Sequence, residues 1–221
     1  MKAEVAPATE PIVLDSIQDA IAAIRAGEVV IVVDDEDREN EGDMICASEC
    51  ITPALVNLMV KEARGLLCVS LSEERCQELE LPLMVSNNTA AHQTAFTVSV
   101  DLLGAGCGTG ISASDRARTI QALVNPSTQP RQLGRPGHIF PLIARNGGVR
   151  TRPGHTEAAS DLARLAGYAP SGVLIEVLNK DGSMARLPEL RRLASQLGLK
   201  LVSIQALITH LSSRVSSPEV N

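Results

Sequence analysis

The sequence predicts a single layered α/β (α+β) domain with a mixed β-sheet flanked by helices. Segments with helical spacing alternate with short β-branched runs along the whole chain, the pattern of stacked helix and sheet layers. The chain has 221 residues, 44% apolar and 21% charged, enough to bury a full core. No linker or repeat interrupts it between its polar, Pro-containing ends, residues 1–10 and 213–221, which read as frayed. One domain is therefore expected over 1–221, with an ordered core at about 12–212.

The elements follow in order. Ser16 caps a first helix carrying Ile17, Ile21 and Ile24, and Gly27 ends it. Residues 29–33 are a continuous β-branched run, a buried strand. A charged segment, 34–43, precedes a returning strand at 44–47. Thr52 and Pro53 open a second helix as cap and first residue, and Gly65 closes it before a strand at 66–71. Residues 95–101 alternate as a strand and lead into a glycine-rich loop, 104–110. Ser114 caps a helix that runs to Val124, where Asn125 and Pro126 stop it. A strand at 139–144, a helix at 156–166 ended by Gly167, and a strand at 173–178 follow, then an Asp181-Gly182 turn. A helix at 188–197, a strand at 200–202 and a helix at 204–211 complete the chain. Short returns before Met44 and after Asp181 make the sheet mixed.

Composition excludes several functions. With two Phe, one Tyr and no Trp there is no stacking platform for single-stranded nucleic acid, and a net charge of −6 gives no general attraction to nucleic acid or anionic membrane. A small anionic substrate would need a local basic site or a metal ion. Five cysteines, an odd number without a Cys-x-x-Cys, argue against a disulfide framework or zinc-thiolate site. No apolar run is long enough to span a bilayer and no apolar signal core opens the chain, so a cytoplasmic location is expected.

The segment D34-D-E-D-R-E-N-E-G-D43 holds seven carboxylates and one Arg in ten residues. Two like charges about 4 Å apart repel by about 1 kcal/mol in water and roughly 4 kcal/mol at an effective dielectric of about 20. A divalent cation among them relieves that cost, and oxygen-rich surroundings suit magnesium or manganese. Such runs are ordinarily solvated faces. Here the run directly follows a buried strand, where α/β folds place their chemistry. It is not an EF-hand, because Asn40 stands at the glycine position.

Of four histidines, His92 and His210 have uninformative neighbours and read as surface or structural. His138 lies in R-P-G-H-I-F-P before a strand, and His155 opens a helix in R152-P-G-H-T-E157. A helix N-terminus with Arg152 and Thr156 is a phosphate grip that leaves His155 free to ligate metal; the alternative is an ordinary helix start. The stretch C107-G-T-G-I-S112 is neither a Walker loop nor G-x-G-x-x-G, and a tight turn explains it. Glu176 sits in the otherwise apolar run V173-L-I-E-V-L178. Buried on both faces, such a carboxylate needs a partner and points to function; on a solvated face it is merely an outward side chain.

Taken together, the acidic motif, T-A-F-T-V-S-V-D from Thr94, T-G-I-S-A from Thr109, G-H-I-F-P-L from Gly137, R-P-G-H-T-E-A-A from Arg152, G-V-L-I-E-V from Gly172 and D-G-S-M-A-R from Asp181 resemble the 3,4-dihydroxy-2-butanone 4-phosphate synthase family, over about residues 17–211. The resemblance implies a three-layer domain, a homodimer with sites near its interface, and magnesium (or manganese), two ions per site. It implies a lyase of riboflavin biosynthesis that converts D-ribulose 5-phosphate to L-3,4-dihydroxy-2-butanone 4-phosphate and formate. It also implies residue roles. Glu39 and His155 would be metal ligands. Arg38, Glu39, Asp43, Thr109, the run Arg152, Pro153, Gly154, His155 and Thr156, and Glu176 would contact substrate. His138, Glu176, Asp43 and Cys68 would be catalytic. With no second domain in view, a form without a fused GTP cyclohydrolase II is expected. Three rival readings are another metal-dependent enzyme on phosphosugars, a non-catalytic cation-binding module, and an inactive relative used in interactions.

Overall fold

The computed structural model describes residues 12–215; the polar N-terminal ten residues and residues 216–221 lie outside them. Seven strands form one sheet: β1 (Val30–Val33), β2 (Gly42–Ala47), β3 (Cys68–Leu71), β4 (Val100–Leu102), β5 (Leu133–Ile143), β6 (Gly172–Glu176) and β7 (Lys200–Ser203). Their order is β4-β5-β3-β6-β2-β1-β7. β3–β5 and β1–β7 are parallel and the other neighbours antiparallel, so the sheet is mixed, as the short returns require.

Helices cover both faces. α2 (Pro53–Ala63), α3 (Glu73–Glu78), α4 (Ala113–Val124) and α6 (Leu187–Leu197) pack on one side, burying Met59, Ile120 and Leu190 against Ile31, Met44 and Ile175. α1 (Ile17–Arg25), α5 (His155–Ala166) and α7 (Ile204–Val215) pack on the other, burying Ile24, Leu162 and Leu207 against Val30, Val32, Ile45 and Leu174. Alternate residues of each strand therefore serve opposite cores, which is why β1, Val-Ile-Val-Val, is apolar throughout. The three-layer expectation holds, and aliphatic side chains fill both interfaces.

Local differences from the sequence reading have physical causes. The helix placed after Ser114 begins earlier: Ser112 is the cap and accepts from the Asp115 amide at 3.0 Å. Asp115 is fixed there because its carboxylate also accepts from the amides of Gly108 and Gly110. The strand read at 95–101 shrinks to β4, with only isolated bridges at Phe96 and Thr97. Its neighbour in β5 is Pro141, which accepts from the Thr97 amide but has no N–H to return. The strand read at 139–144 begins instead at Leu133, and α7 runs past Leu211. α3, capped by Ser72, has no counterpart in the sequence reading.

At the end of α2 it is Arg64, not Gly65, that takes the left-handed conformation, with φ 70°. Gly65 is needed for proximity: a Cβ there would lie 2.3 Å from the Glu176 carbonyl oxygen. The cap assignment gives a paired expectation. Ser112→Ala should cost about 1 kcal/mol in urea unfolding, and Ser114→Ala less than about 0.5 kcal/mol. Equal costs would remove Ser112 as the cap.

Candidate active site

Strand register builds the centre of the site. Asp43 of β2 lies directly opposite Glu176 of β6. By alternation both share the sheet face of Ile45 and Leu174, the face covered by α5. Cys68 of β3 and Leu142 of β5 share that face, and all four line one small cavity of about 130 Å³ with Arg38, Glu39, Arg152, His155 and Thr156. Asp43 is 3% exposed. Glu176, at the end of its strand, is half-buried, and its carboxylate accepts from the Leu66 amide at 2.8 Å. Like charges opposite one another in an antiparallel pair repel, so this arrangement calls for positive charge nearby.

The acidic segment supplies a shaped loop. Asp34 accepts from the amides of Glu39 (3.0 Å) and Glu41 (2.8 Å) and from Arg38 Nη1 (2.9 Å), so both its oxygens are used to close the turn. Arg38 also bonds Glu39 Oε2 at 2.6 Å. Arg186, from the start of α6, donates to the carbonyls of Glu39 and Asn40 and clamps the loop from the other side. Asn40 adopts φ 54° beneath this clamp.

α5 contributes from above. It has no side-chain cap at Gly154, unlike α1, α2, α3 and α4. A Cβ at Gly154 would lie 2.4 Å from Arg152 Nη1 and 3.1 Å from Arg38 Nη2, so two guanidinia converge on a position that only glycine leaves open. Fully buried Glu157 holds Arg152 Nη1 at 2.7 Å and the Arg145 amide at 3.0 Å. Arg152 Nη2 reaches the His92 carbonyl and Thr94 Oγ1. His92 is at the surface, as read, and also borders the site: its Nε2 is 3.8 Å from Glu39 Oε1. Glu39, Thr94 and Phe96 are shared with an adjoining, largely apolar cavity of about 340 Å³ that leads outward past Leu83, Met84 and Val85.

The electrostatics follow from this crowding. Burial pushes Asp43 up to about 7, reinforced by Glu176, Glu39 and Glu41 and opposed by His155. Burial disfavours charge on His155 too, but Asp43, Glu39 and Asp34 outweigh it and raise the imidazole to about 9. Glu39 is held down at about 2, chiefly by His155; at 3.8 Å to Nδ1 this is a charge pair rather than a hydrogen bond. Burial, with Glu176 and Asp43 adding to it, drives the Cys68 thiol far above its ordinary range, so no thiolate nucleophile forms there.

The donor set fits a divalent cation. Asp43 Oδ1 and His155 Nε2 are buried without a hydrogen-bond partner among the described residues, an unfavourable state that a ligand relieves. Asp34, Glu39 and His155 bring donor atoms within 4.8 Å of one another. Since Asp34 is already committed to the loop, Glu39 and His155 are the members left to ligate.

Two carried-over residues lie elsewhere. His138, on β5, and Thr109, in the glycine-rich loop, do not line this cavity. His138 Nδ1 is 2.7 Å from Asp101 Oδ2, and a Cβ at Gly110, the residue after Thr109, would lie 2.1 Å from that same oxygen. Pro153 is exposed beside the cavity without lining it. The sequence reading assigned nothing to Asp101, Glu157, Arg186, Thr94 or Asp34 individually. All five lie inside the quoted motifs: Asp34 opens the acidic run, Thr94 and Asp101 bound T-A-F-T-V-S-V-D, Glu157 falls in R-P-G-H-T-E, and Arg186 closes D-G-S-M-A-R.

Two expectations follow. Arg186→Ala removes a charged donor from two loop carbonyls and should cost about 1–3 kcal/mol in urea unfolding; an unchanged midpoint would mean that the clamp carries no weight. In metal-free protein, nitrogen-15 NMR should find His155 protonated up to about pH 9. Its folded value is raised, so its stabilising contribution is full below the unfolded value of 6.5 and is lost as pH rises through about 9. A midpoint at or below 6.5 would overturn the charge balance drawn for the site.

Comparison with known proteins places the chain in a family. Residues 18–210 match the sequence profile described as 3,4-dihydroxy-2-butanone 4-phosphate synthase. The riboflavin biosynthesis protein RibBA of Cytophaga hutchinsonii is 68% identical over 201 residues, 91% of this chain and 50% of that protein. The chain thus spans about half the length of such relatives. The 3,4-dihydroxy-2-butanone 4-phosphate synthase of Agrobacterium fabrum is 57% identical over 199 residues, covering 90% of this chain and 93% of that one. A 3,4-dihydroxy-2-butanone 4-phosphate synthase crystallised in complex with two magnesium ions superposes with a TM-score of 0.86 at 43% identity, over 90% of this chain and 98% of that one. On sequence, fold and extent, the chain belongs to the 3,4-dihydroxy-2-butanone 4-phosphate synthase family.

Proposed function

We propose that this chain is a magnesium-dependent lyase that converts D-ribulose 5-phosphate to L-3,4-dihydroxy-2-butanone 4-phosphate and formate, in riboflavin biosynthesis. The observation that carries the reading is the cavity in which Asp43, Glu176, Glu39 and His155 face two guanidinia and an uncapped helix N-terminus. Glu39 and His155 would hold the divalent ions, two per site, with manganese as the alternative metal. The ions, when bound, supply Lewis-acid polarisation of adjacent substrate oxygens.

The chain's own residues do the rest. Arg38, Arg152, Thr156 and the first amides of α5 at His155 and Thr156, beside Gly154, bind the phosphate and orient the sugar, with Pro153 fixing the turn that presents them. Asp43, poised near 7, can take and return a proton at neutral pH. Glu176, held by the Leu66 amide, is the second carboxylate available for proton transfer. Cys68 walls the cavity as a neutral thiol.

His138 and Thr109 fit a homodimer. In one copy they stand apart from the cavity, and Leu103 and Ile111, which flank the glycine-rich loop 104–110 in the chain, are 56% and 54% exposed. A second copy packed there would cover them and bring His138 and Thr109 to the partner's cavity. We read residues 1–221 as one domain carrying this activity, working in the cytoplasm without nucleic acid or membrane. Support comes from five free cysteines and from the lack, among the described residues, of a helix long and apolar enough to cross a membrane.

Carbon-13 NMR with uniformly labelled ribulose 5-phosphate tests the reaction: formate and a four-carbon phosphate should appear only when magnesium is present. An unchanged spectrum with folded protein would exclude it. Glu39→Gln and His155→Ala should each lower turnover by more than about 10³-fold, and near-normal rates in either would remove it as a ligand. Mixing inactive Glu39→Gln and His138→Ala subunits should restore about a quarter of wild-type activity, because half the dimers carry one intact site. No recovery after subunit exchange would confine each site to one chain.

A further inference from the structure

His138 is docked onto Asp101 by more local structure than a surface histidine needs. The β4–β5 ladder is irregular at this point: Val100 pairs with Ile139, but the next residue, Asp101, pairs with Gly134. The intervening stretch of β5, which contains His138, is thrown out as a bulge, a device that re-aims side chains. At its crest Gly137 presses against β4, where a Cβ would lie 2.0 Å from the Val100 carbonyl carbon. The Gly137 amide is fixed to Ser99 Oγ at 3.1 Å. Across the pair, Gly110 with φ 91° leaves the space that the Asp101 carboxylate occupies.

The outcome is a two-point contact. Asp101 Oδ1 accepts from the His138 amide at 2.9 Å, and Oδ2 lies 2.7 Å from Nδ1. A carboxylate can only accept, so Nδ1 carries the hydrogen and the neutral ring presents Nε2 as a lone pair. Nε2 has no hydrogen bond among the described residues, and the His138 side chain is 43% exposed against 16% for Asp101. The carboxylate is shielded while the ring reaches outward.

We propose that Asp101 is a positioning residue for the reaction, locking His138 in the tautomer whose Nε2 accepts a proton and stabilising the imidazolium that results. The proposal rests on the lyase reading given above. In the step it serves, a substrate C–H or O–H bond breaks, its electron pair stays on substrate, and the proton goes to Nε2. The same proton later returns to product, so His138 ends neutral, and Asp101 stays ionised throughout.

The test is nitrogen-15 NMR of histidine-labelled protein combined with kinetics. Wild type should show His138 as the Nδ1–H tautomer; the Nε2–H tautomer in wild type would overturn the proposal without any variant having to fold. In Asp101→Asn, whose amide can donate to Nδ1, the ring should turn to Nε2–H. Its kcat should then fall about 10²–10⁴-fold with KM within about twofold. Adding His138→Ala to Asp101→Asn should cost little more than His138→Ala alone, because the two act as a unit. Normal kcat in Asp101→Asn, or an unchanged tautomer, would sink the positioning role. A wild-type protein that releases no formate would refute the lyase reading instead, while the tautomer still reports on the pair.

Discussion

The register between β2 and β6 is the constraint on which the site depends. Pairing Met44 with Ile175 and Cys46 with Val173 satisfies one apolar core, and pairing Ile45 with Leu174 satisfies the other. Continuing that ladder by one residue leaves no choice: Asp43 and Glu176 must stand side by side on the face covered by α5. A slip of one residue in either strand would turn its carboxylate toward the opposite core and bury apolar groups wrongly along that whole strand. Hydrophobic packing thus imposes an electrostatic conflict. His155, Arg38 and Arg152, together with the cation the donor set fits, are the groups that resolve it.

That dependence explains the uneven burial of the site. Asp43 and His155 are enclosed, whereas Glu39 and Glu176 are only half-buried. Burial raises Asp43 to about 7 against the pull of His155, while Asp43, Glu39 and Asp34 raise His155 to about 9. Metal-free protein therefore holds extra protons at neutral pH, and a cation that ligates His155 must displace one.

Features confined to a short stretch were legible in the sequence. The acidic run, the R-P-G-H-T-E helix start and Glu176 in its apolar strand each announce themselves within ten residues. The alternation of elements also gave the mixed sheet and its flanking helices. What stayed hidden depends on distant partners. Gly65 read as a helix stop, yet its role comes from the Glu176 backbone across the sheet. Arg186 lies 147 residues from Glu39 in the chain, and only the fold makes it a clamp on the acidic loop. His92 had no informative neighbours in sequence and acquires Glu39 in space. Ser112 and Ser114 offer the same chemistry; the carboxylate of Asp115, anchored on the amides of Gly108 and Gly110, decides between them.

The helix that carries His155 and Thr156 is also the most deeply set in its layer, with ten of its twelve residues buried. Its first turn faces the cavity and its remainder is core. Local opening free energies track burial, so this wall can yield only when the domain itself comes apart. The opposite wall, around Leu83 to Val85 and His92, is exposed. The site is thus a vice with one fixed jaw. Any adjustment around the cavity falls to the outer jaw, and substitutions there leave the buried jaw, with His155 and Thr156, undisturbed.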